Sequence, residues 1–420
     1  MKKKKIVFIE SYATVLLYKA AKEFKSKGYE TILIRILKPD PKEGAFYDSA
    51  YDKIIDINLD FVKLSKKNLL KLSFNLLKNL KNFVNAFTKI FFLKPYIIFG
   101  RSNPNSPISF FRMLFKKYPF VYFPYDIRVQ LVPTLELAKT KMGLTTIEIK
   151  SERFNFEHAD GIIHKGAPEE LDHLEGRYLG NNIKIPKDNL SFPAYCSDEF
   201  IVPINKDKLS KKDGQIHVVC LGSGGKRTKE MYEIYFEAAK PLIKQKIHFH
   251  TYVCSNTFSQ GDEIDLFTKA NKDTTNFDYF HIHESLDPKG IVKEISKYDF
   301  AVSLPYYINH PKYDIDPIFT MGNKISTYLE AGLPHFYAHN QKFIETSMKP
   351  YDLNLFWSFD GPHPAKDFKK MIKELNIKEL EKRIEKARKD FNVKKQFYKL
   401  EKFIEKVIKN KKESKKPWRK

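Results

Sequence analysis

One segment of the sequence combines small residues with positive charge, as a phosphate-binding turn requires. Between a predicted strand and a predicted helix stand Gly222, Ser223, Gly224, Gly225, Lys226 and Arg227. Small residues let the backbone approach a ligand closely, and the unpaired N–H groups of a helix start attract anions. Neither the GxGxxG nor the Walker A pattern fits these residues. The segment predicts a phosphate site, with an ordinary turn of small residues as the alternative.

Two carboxylates are candidates for acid–base chemistry. Glu10 ends the first predicted strand, and Asp126 follows the strand predicted at Phe120–Phe123, after 65 residues without an acid. Because the carboxyl ends of strands face the ligand crevice in open α/β sheets, either carboxylate could deprotonate a hydroxyl or orient it. For Asp126, the alternative is an ion pair with Arg128 that only shapes the loop.

The histidines of the C-terminal half show no spacing typical of a metal site. His281 and His283 stand in one predicted strand, where we expect one to face inward and the other outward. His310 and His363 are distant from them in sequence. The spacing therefore predicts no metal site.

The elements that must position these residues alternate between strand and helix. A strand at Ile6–Ile9, a helix at Ala13–Lys27 and a strand at Thr31–Leu37 begin the series. A second series starts at Ile216–Leu221 and includes a helix at Lys324–Ala331. Such alternation predicts parallel sheets covered by helices. A stretch of prolines and charges separates the two series. We therefore predict an N-terminal domain at 1–200, a C-terminal domain at 201–375, and helices with a basic tail at 376–420 that pack back on the N-terminal domain.

Composition and charge narrow the class of protein. The 420 residues, 42% of them hydrophobic, are enough for two cores, and the three cysteines form no disulfide or metal pattern. The apolar run after Lys5 is too short for a signal peptide, so we expect a cytoplasmic protein. The net charge of +23 comes from residues 2–5, 61–125 and 406–420. Such basic segments suit an anionic membrane surface or a polyanionic substrate.

A long helix predicted at Asn68–Phe92 is amphipathic. Its apolar residues recur at three- and four-residue steps, and lysines lie on the other side. Packing on the N-terminal sheet is one interpretation. Contact with a membrane near a lipid-linked acceptor is the other, which would make the protein peripheral on the inner membrane face.

The segment Asn323–Pro334, with the pattern NK-x-x-x-Y-L-x-A-G-L-P, resembles the nucleotide-sugar segment of GT-B glycosyltransferases of the group 1 type. The resemblance implies two Rossmann-like α/β domains facing a cleft. It implies that Asn323 and Lys324 lie beside the donor's diphosphate and that Thr327 reaches its ribose or phosphate. Many relatives carry two glutamates eight residues apart here. Their positions hold Phe319 and Thr327, and Glu330 could replace one only in a shifted register.

The resemblance implies a metal-independent enzyme that moves a sugar from a UDP- or GDP-type donor to a hydroxyl acceptor in glycan, polysaccharide or glycolipid synthesis. The donor is a substrate, and no tightly bound cofactor is expected. A non-hydrolysing nucleotide-sugar epimerase and a catalytically inactive scaffold remain alternatives. A nucleic-acid-binding protein would be expected to carry aromatic–basic modules, and the sequence contains none.

Overall fold

The computed structural model describes most of the chain in two compact units, which comprise residues 1–193 with 396–420, and residues 194–395. The described residues are 3–11, 14–37, 44–57, 84, 87–102, 105–130, 134–140, 143–177, 185–222, 229–252, 277–304, 316–359 and 363–414. Most of the predicted helix at Asn68–Phe92 lies outside these ranges. Among the described residues, no helix has both the length and the apolar character needed to cross a membrane.

The first unit contains a seven-stranded parallel sheet in the order β3-β2-β1-β4-β5-β6-β7. Its strands are β1 (Lys5–Glu10), β2 (Glu30–Arg35), β3 (Lys53–Asp56), β4 (Ile97–Arg101), β5 (Phe120–Phe123), β6 (Gly161–His164) and β7 (Asn189–Ser191). Its helices before residue 193 are α1 (Val15–Ser26), α2 (Gly44–Asp48), α3 (Asn105–Leu114), α4 (Leu135–Thr140), α5 (Thr146–His158) and α6 (Glu170–Arg177). A 3-10 turn covers Arg128–Gln130.

The inner strands of this sheet, β2, β1, β4, β5 and β6, are buried along nearly their whole length because helices cover both sides. Ile6, Val7, Phe8 and Ile9 are all completely buried, so β1 is a continuous hydrophobic run rather than an alternating one. Strand order reverses between β1 and β4. In open parallel sheets such a switch point opens a crevice at the carboxyl ends of the strands. Glu10, at the end of β1, therefore stands at this crevice.

The second unit contains a six-stranded parallel sheet in the order β10-β9-β8-β11-β12-β13. Its strands are β8 (His217–Leu221), β9 (His248–Tyr252), β10 (Phe280–His283), β11 (Phe300–Val302), β12 (His335–Tyr337) and β13 (Leu355–Phe356). Its helices are α7 (Ser210–Asp213), α8 (Lys229–Ile243), α9 (Pro288–Ile295), α10 (Asp316–Phe319), α11 (Lys324–Glu330), α12 (Lys342–Met348), α13 (Phe368–Lys373) and α14 (Ile377–Asp390). The strand order reverses between β8 and β11, which defines a second switch point.

The last helix, α15 (Val393–Glu413), belongs almost entirely to the first unit. It lies against the start of β6, where a Cβ added to Gly161 would lie 2.7 Å from Val407 and 2.8 Å from Phe403. Phe397 packs edge-on against Phe24 of α1, with ring centroids 4.8 Å apart. Residues 396–413 thus complete the core of the first unit.

Most predicted elements are present, within a few residues at each end. One expectation was wrong: His281 and His283 lie on the same face of β10, and both contact the ring of His250. Side chains two positions apart on a strand always point to the same side. A short helix, α10, precedes Gly322.

Candidate functional site

The turn after β8 begins with a glycine that packing requires. The N–H of Gly222 donates to the carbonyl of Tyr252 at 3.0 Å, and a Cβ on Gly222 would lie 2.6 Å from that carbonyl oxygen. Any larger residue would push β8 and β9 apart at their carboxyl ends. The other predicted members of the turn lie outside the described residues: Ser223, Gly224, Gly225, Lys226 and Arg227.

Helix α11 is fixed to the same edge of the sheet by one hydroxyl group. The Tyr328 hydroxyl accepts from the N–H of Leu221 at 2.8 Å and donates to the carbonyl of Val302 at 3.4 Å. Leu221 ends β8 and Val302 ends β11, the two strands of the switch point. The structure therefore brings the beginning of the glycine turn and the helix of the second predicted segment to one place.

The first turn of α11 is held by its own polar side chains. The hydroxyls of Ser326 and Thr327 both donate to the carbonyl of Asn323, at 2.8 and 3.3 Å. Asn323 makes no side-chain capping bond, so the helix's first N–H groups are not closed by its amide. Lys324 is half-buried. The N–H of Ile325 donates to the carbonyl of Gly322 at 3.1 Å. This start therefore places a lysine at the N-terminal end of a helix, where the helix dipole favours an anion.

Ser303 and His335 lie next to Tyr328 of α11, and the sequence did not identify either as a site residue. The Ser303 hydroxyl is 2.8 Å from Nε2 of His335, whose ring lies 4.9 Å from that of Tyr328. Burial, together with the positive charge of Lys324, lowers the pKa of His335 to about 3. His335 is therefore neutral, and Lys324 is the cation of this group.

Glu330 has a structural partner in the described residues. Its carboxylate is almost fully buried and accepts from the N–H of Ser197 at 2.8 Å, and its carbonyl accepts from Val202. These bonds hold the segment 197–202 against the end of α11. A contact between Glu330 and a donor sugar stays a prediction.

In the first unit, Glu10 is a buried carboxyl at the switch point. Thr14 and Tyr51 donate to its two oxygens, each at 3.0 Å. Desolvation raises the pKa of Glu10 to about 7, although the charge of Arg101 and the hydrogen bonds lower it. A carboxyl that titrates near neutrality is suited to accepting a proton from a substrate hydroxyl.

Basic residues follow the neighbouring strands at the same edge. Arg101 ends β4, and its guanidinium lies over the ring of Tyr125 at 4.4 Å. The ammonium of Lys165 lies over the same ring, also at 4.4 Å, and pairs with Asp126. The partner of Asp126 in the described structure is thus Lys165, whereas the sequence suggested Arg128. The catalytic role of Asp126 stays a prediction.

A buried histidine at the end of β6 also escaped the sequence reasoning. Nδ1 of His164 is 3.0 Å from the carboxylate of Glu170, and both side chains are buried. Within the part of the chain that the structure describes, Nε2 of His164 is buried without a hydrogen-bond partner. His164 ends β6 and Lys165 follows it, so the strand-end rule that selected Glu10 could have selected them as well.

Solved structures match this architecture over nearly the whole chain. Sucrose-phosphate synthase from Thermosynechococcus elongatus has a TM-score of 0.69 at 13% identity, over 97% of this chain and 100% of that one. Trehalose-6-phosphate synthase from E. coli, bound with UDP-2-fluoro glucose, has a TM-score of 0.59 at 11% identity, over 97% and 99%. Anabaena Alr3699/HepE, in complex with UDP and glucose, has a TM-score of 0.57 at 11% identity, over 98% and 99%.

No family model and no curated protein sequence matches this chain. The structural matches, together with the two parallel sheets, show that the chain has the GT-B fold, and the fold class expected from the sequence is confirmed.

Proposed function

We propose that this chain is a glycosyltransferase, which moves a sugar from a nucleotide-sugar donor to a hydroxyl acceptor. The observation that carries the proposal is the position of Tyr328. Its hydroxyl joins the ends of β8 and β11, so the glycine turn after Leu221 and the helix that begins at Lys324 start from one switch point. This is the place where open α/β sheets bind nucleotides.

The donor is a UDP- or GDP-sugar, and the solved neighbours with bound UDP favour the uridine form. Cleavage of the sugar–phosphate bond leaves a diphosphate with additional negative charge. Lys226, Arg227 and Lys324, together with the N–H groups at the start of α11, stabilise that charge. Asn323 and Thr327 orient the phosphates or the ribose. With these cations in place, the transfer needs no metal ion.

The acceptor hydroxyl binds at the carboxyl edge of the first sheet. Glu10, with its pKa near 7, accepts the hydroxyl proton. Asp126, paired with Lys165, orients the acceptor. The acceptor is a glycan or a lipid-linked sugar, and the enzyme serves polysaccharide or glycolipid synthesis. Nucleic acid is not its partner.

We further propose that the first unit rests on an anionic membrane surface from the cytoplasmic side. All three basic segments, residues 2–5, 61–125 and 406–420, belong to this unit. Phe91 and Phe92 are 64% and 73% exposed, so large apolar side chains are available next to that charge. Aromatic and basic residues together are typical of proteins that bind the membrane interface.

A panel of nucleotide sugars, each with and without candidate acceptors, tests the proposed activity. We expect one UDP- or GDP-sugar to release its nucleotide faster with acceptor, and mass spectrometry to find the glycosylated product.

Lys324→Ala should raise the donor KM at least about tenfold, as expected when a charged hydrogen bond to phosphate is lost. Lys293→Ala, an exposed lysine of the same unit, is the matched control.

Two outcomes would contradict the proposal. Conversion of the nucleotide sugar to an epimer without any acceptor would indicate an epimerase. Binding of random RNA without any effect on any donor would indicate a nucleic-acid-binding protein.

A further inference from the structure

Five histidines and one aspartate gather on one face of the second sheet, and the proposed transfer reaction uses none of them. They are Asp213, His217, His248, His250, His281 and His283. We call this group the imidazole cluster. The histidines come from the three neighbouring strands β10, β9 and β8. The opposite face of these strands, with Val218 and Phe249, belongs to the hydrophobic core.

The cluster lies away from the proposed donor site. His217 is the first residue of β8 and Gly222 follows its last, so about five residues at roughly 3.3 Å each separate them. His248 likewise begins β9. A ligand of the cluster would therefore bind near the amino ends of the strands, whereas the donor binds at the carboxyl ends.

The ring nitrogens are arranged so that each inner histidine has a polar partner. His217 has Nδ1 3.0 Å from Nε2 of His250 and Nε2 2.9 Å from the carboxylate of Asp213. Nδ1 of His250 lies 2.9 Å from Nε2 of His283, and Nδ1 of His248 lies 2.9 Å from Nε2 of His281. The rings of His217 and His248 stack at 4.4 Å.

We propose that the imidazole cluster is a binding site for a divalent transition-metal ion, with His217, His248 and His250 as ligands. One nitrogen from each of these three rings lies within 4.8 Å of the others. A tetrahedral ion with bonds of about 2.0–2.1 Å needs its ligand atoms roughly 3.3 Å apart. The three nitrogens lie within 4.8 Å of one another, a wider limit than this spacing, so the rings must draw closer together when the ion binds.

The surroundings supply what such a site needs besides the three nitrogens. Asp213, whose side chain is 40% exposed, lies 2.9 Å from Nε2 of His217 and 3.7 Å from Nε2 of His248, so its carboxylate fixes the His217 ring and marks the side of the cluster that is open to solvent. His281 and His283 bond the second nitrogen of His248 and His250. Metal-binding histidines regularly have such a partner, which fixes the ring and its tautomer.

The chemistry of the ligand set favours an ion of the zinc, cobalt, nickel or copper group. Imidazole nitrogen is a preferred ligand of these ions, whereas magnesium and calcium prefer oxygen. A neutral imidazole presents a ring-nitrogen lone pair to such an ion. The ion would join β8 and β9 at their amino ends, so its role is structural, and the proposal does not depend on the proposed transfer activity.

Metal titration of the tag-free, full-length protein after EDTA treatment and dialysis tests this site. We expect about one Zn²⁺ to bind per chain by calorimetry, a rise in the unfolding temperature, and the visible absorption of tetrahedral Co²⁺ when cobalt replaces zinc. His248→Gln and His250→Gln should each abolish the Co²⁺ spectrum. His283→Gln should weaken Zn²⁺ binding about 10- to 100-fold, because it removes only a supporting partner.

His339→Gln, a half-buried histidine of the same unit outside the cluster, is the control and should bind Zn²⁺ like the parent protein. Circular dichroism verifies that each variant is folded, and His248, the more exposed ligand, remains informative if the His250 variant does not fold. Absence of stoichiometric Zn²⁺ binding in the parent, or unchanged binding in the folded His248 variant, would overturn the proposal.

Discussion

At the scale of single residues, Glu10 links the first unit's stability to pH. The folded protein raises its pKa from 4.5 to about 7, because desolvation outweighs the charge of Arg101 and the hydrogen bonds from Tyr51 and Thr14. A group whose pKa is raised by folding makes its full contribution to the free energy of unfolding only when the pH is below the pKa that the group has in the unfolded chain. That contribution is lost as the pH rises through the folded pKa.

Glu10→Gln should therefore change the pH profile of stability. Relative to this variant, the parent protein should lose up to roughly 3 kcal/mol of its free energy of unfolding between about pH 4.5 and pH 7.5, since a shift of one pKa unit corresponds to about 1.4 kcal/mol. Chemical denaturation of both proteins at several pH values measures the difference. Glu405→Gln, on the exposed side of α15, should show no such trend. An equal pH profile for the parent and Glu10→Gln would contradict the burial argument.

The Tyr328 hydroxyl carries the second prediction at this scale. Tyr328→Phe leaves the N–H of Leu221 without its acceptor, so we expect a loss of about 1–3 kcal/mol in stability. We also expect a higher donor KM, because α11 is no longer fixed to the end of β8. Tyr298→Phe removes a buried hydroxyl bonded to Tyr252 in the same unit and is the matched control. Equal donor KM values in the two variants would show that the Tyr328 hydroxyl does not support the donor site.

At the scale of secondary-structure elements, α15 is part of the first core. Phe403 and Val407 pack on Gly161 at the start of β6, whereas Tyr398 of the same helix is 51% exposed. Phe403→Ala should destabilise the protein by about 3–5 kcal/mol, since it empties a packed site. Tyr398→Ala should change stability by no more than about 0.5 kcal/mol. Thermal and urea unfolding compare the two, and similar losses would mean that α15 is not a core element.

The elements themselves were largely predictable, and the pairing between them was not. Hydrophobic runs between helical segments identified β1, β2 and β5, because strands buried on both faces leave that pattern. The short strands β7 and β13 were missed, since two or three residues carry no periodicity. The partner of Asp126 was missed because Lys165 follows another strand, β6, and only the sheet order brings the two together.

The imidazole cluster also could not be predicted from the sequence, because it depends on how the strands pair. The sequence has His248 and His250 on one strand and His281 and His283 on the next, each pair separated by one residue. Correct use of the two-residue strand period would have put each pair on one face. Their meeting with His217 depends on the parallel register of three strands, which spacing along the chain does not encode.

At the scale of the whole molecule, charge is divided unequally between the two units. The segments that account for the net charge of +23 all belong to the first unit. We therefore expect the protein to sediment with vesicles containing phosphatidylserine at low salt and to be released at high salt. Replacing Lys116 and Lys117 by Glu should reduce binding, and the same change at Lys211 and Lys212 in the second unit is the control. Equal binding by both variants would contradict a membrane face on the first unit.

We propose that the turn beginning at Gly222 and the helix start at Lys324 together hold the donor's diphosphate. A crystal structure with bound UDP would locate the diphosphate. We predict diphosphate oxygens within hydrogen-bond distance of the turn's N–H groups and of the Lys324 ammonium, at the carboxyl ends of β8 and β11. A diphosphate bound elsewhere, with neither segment in contact, would contradict this position of the donor.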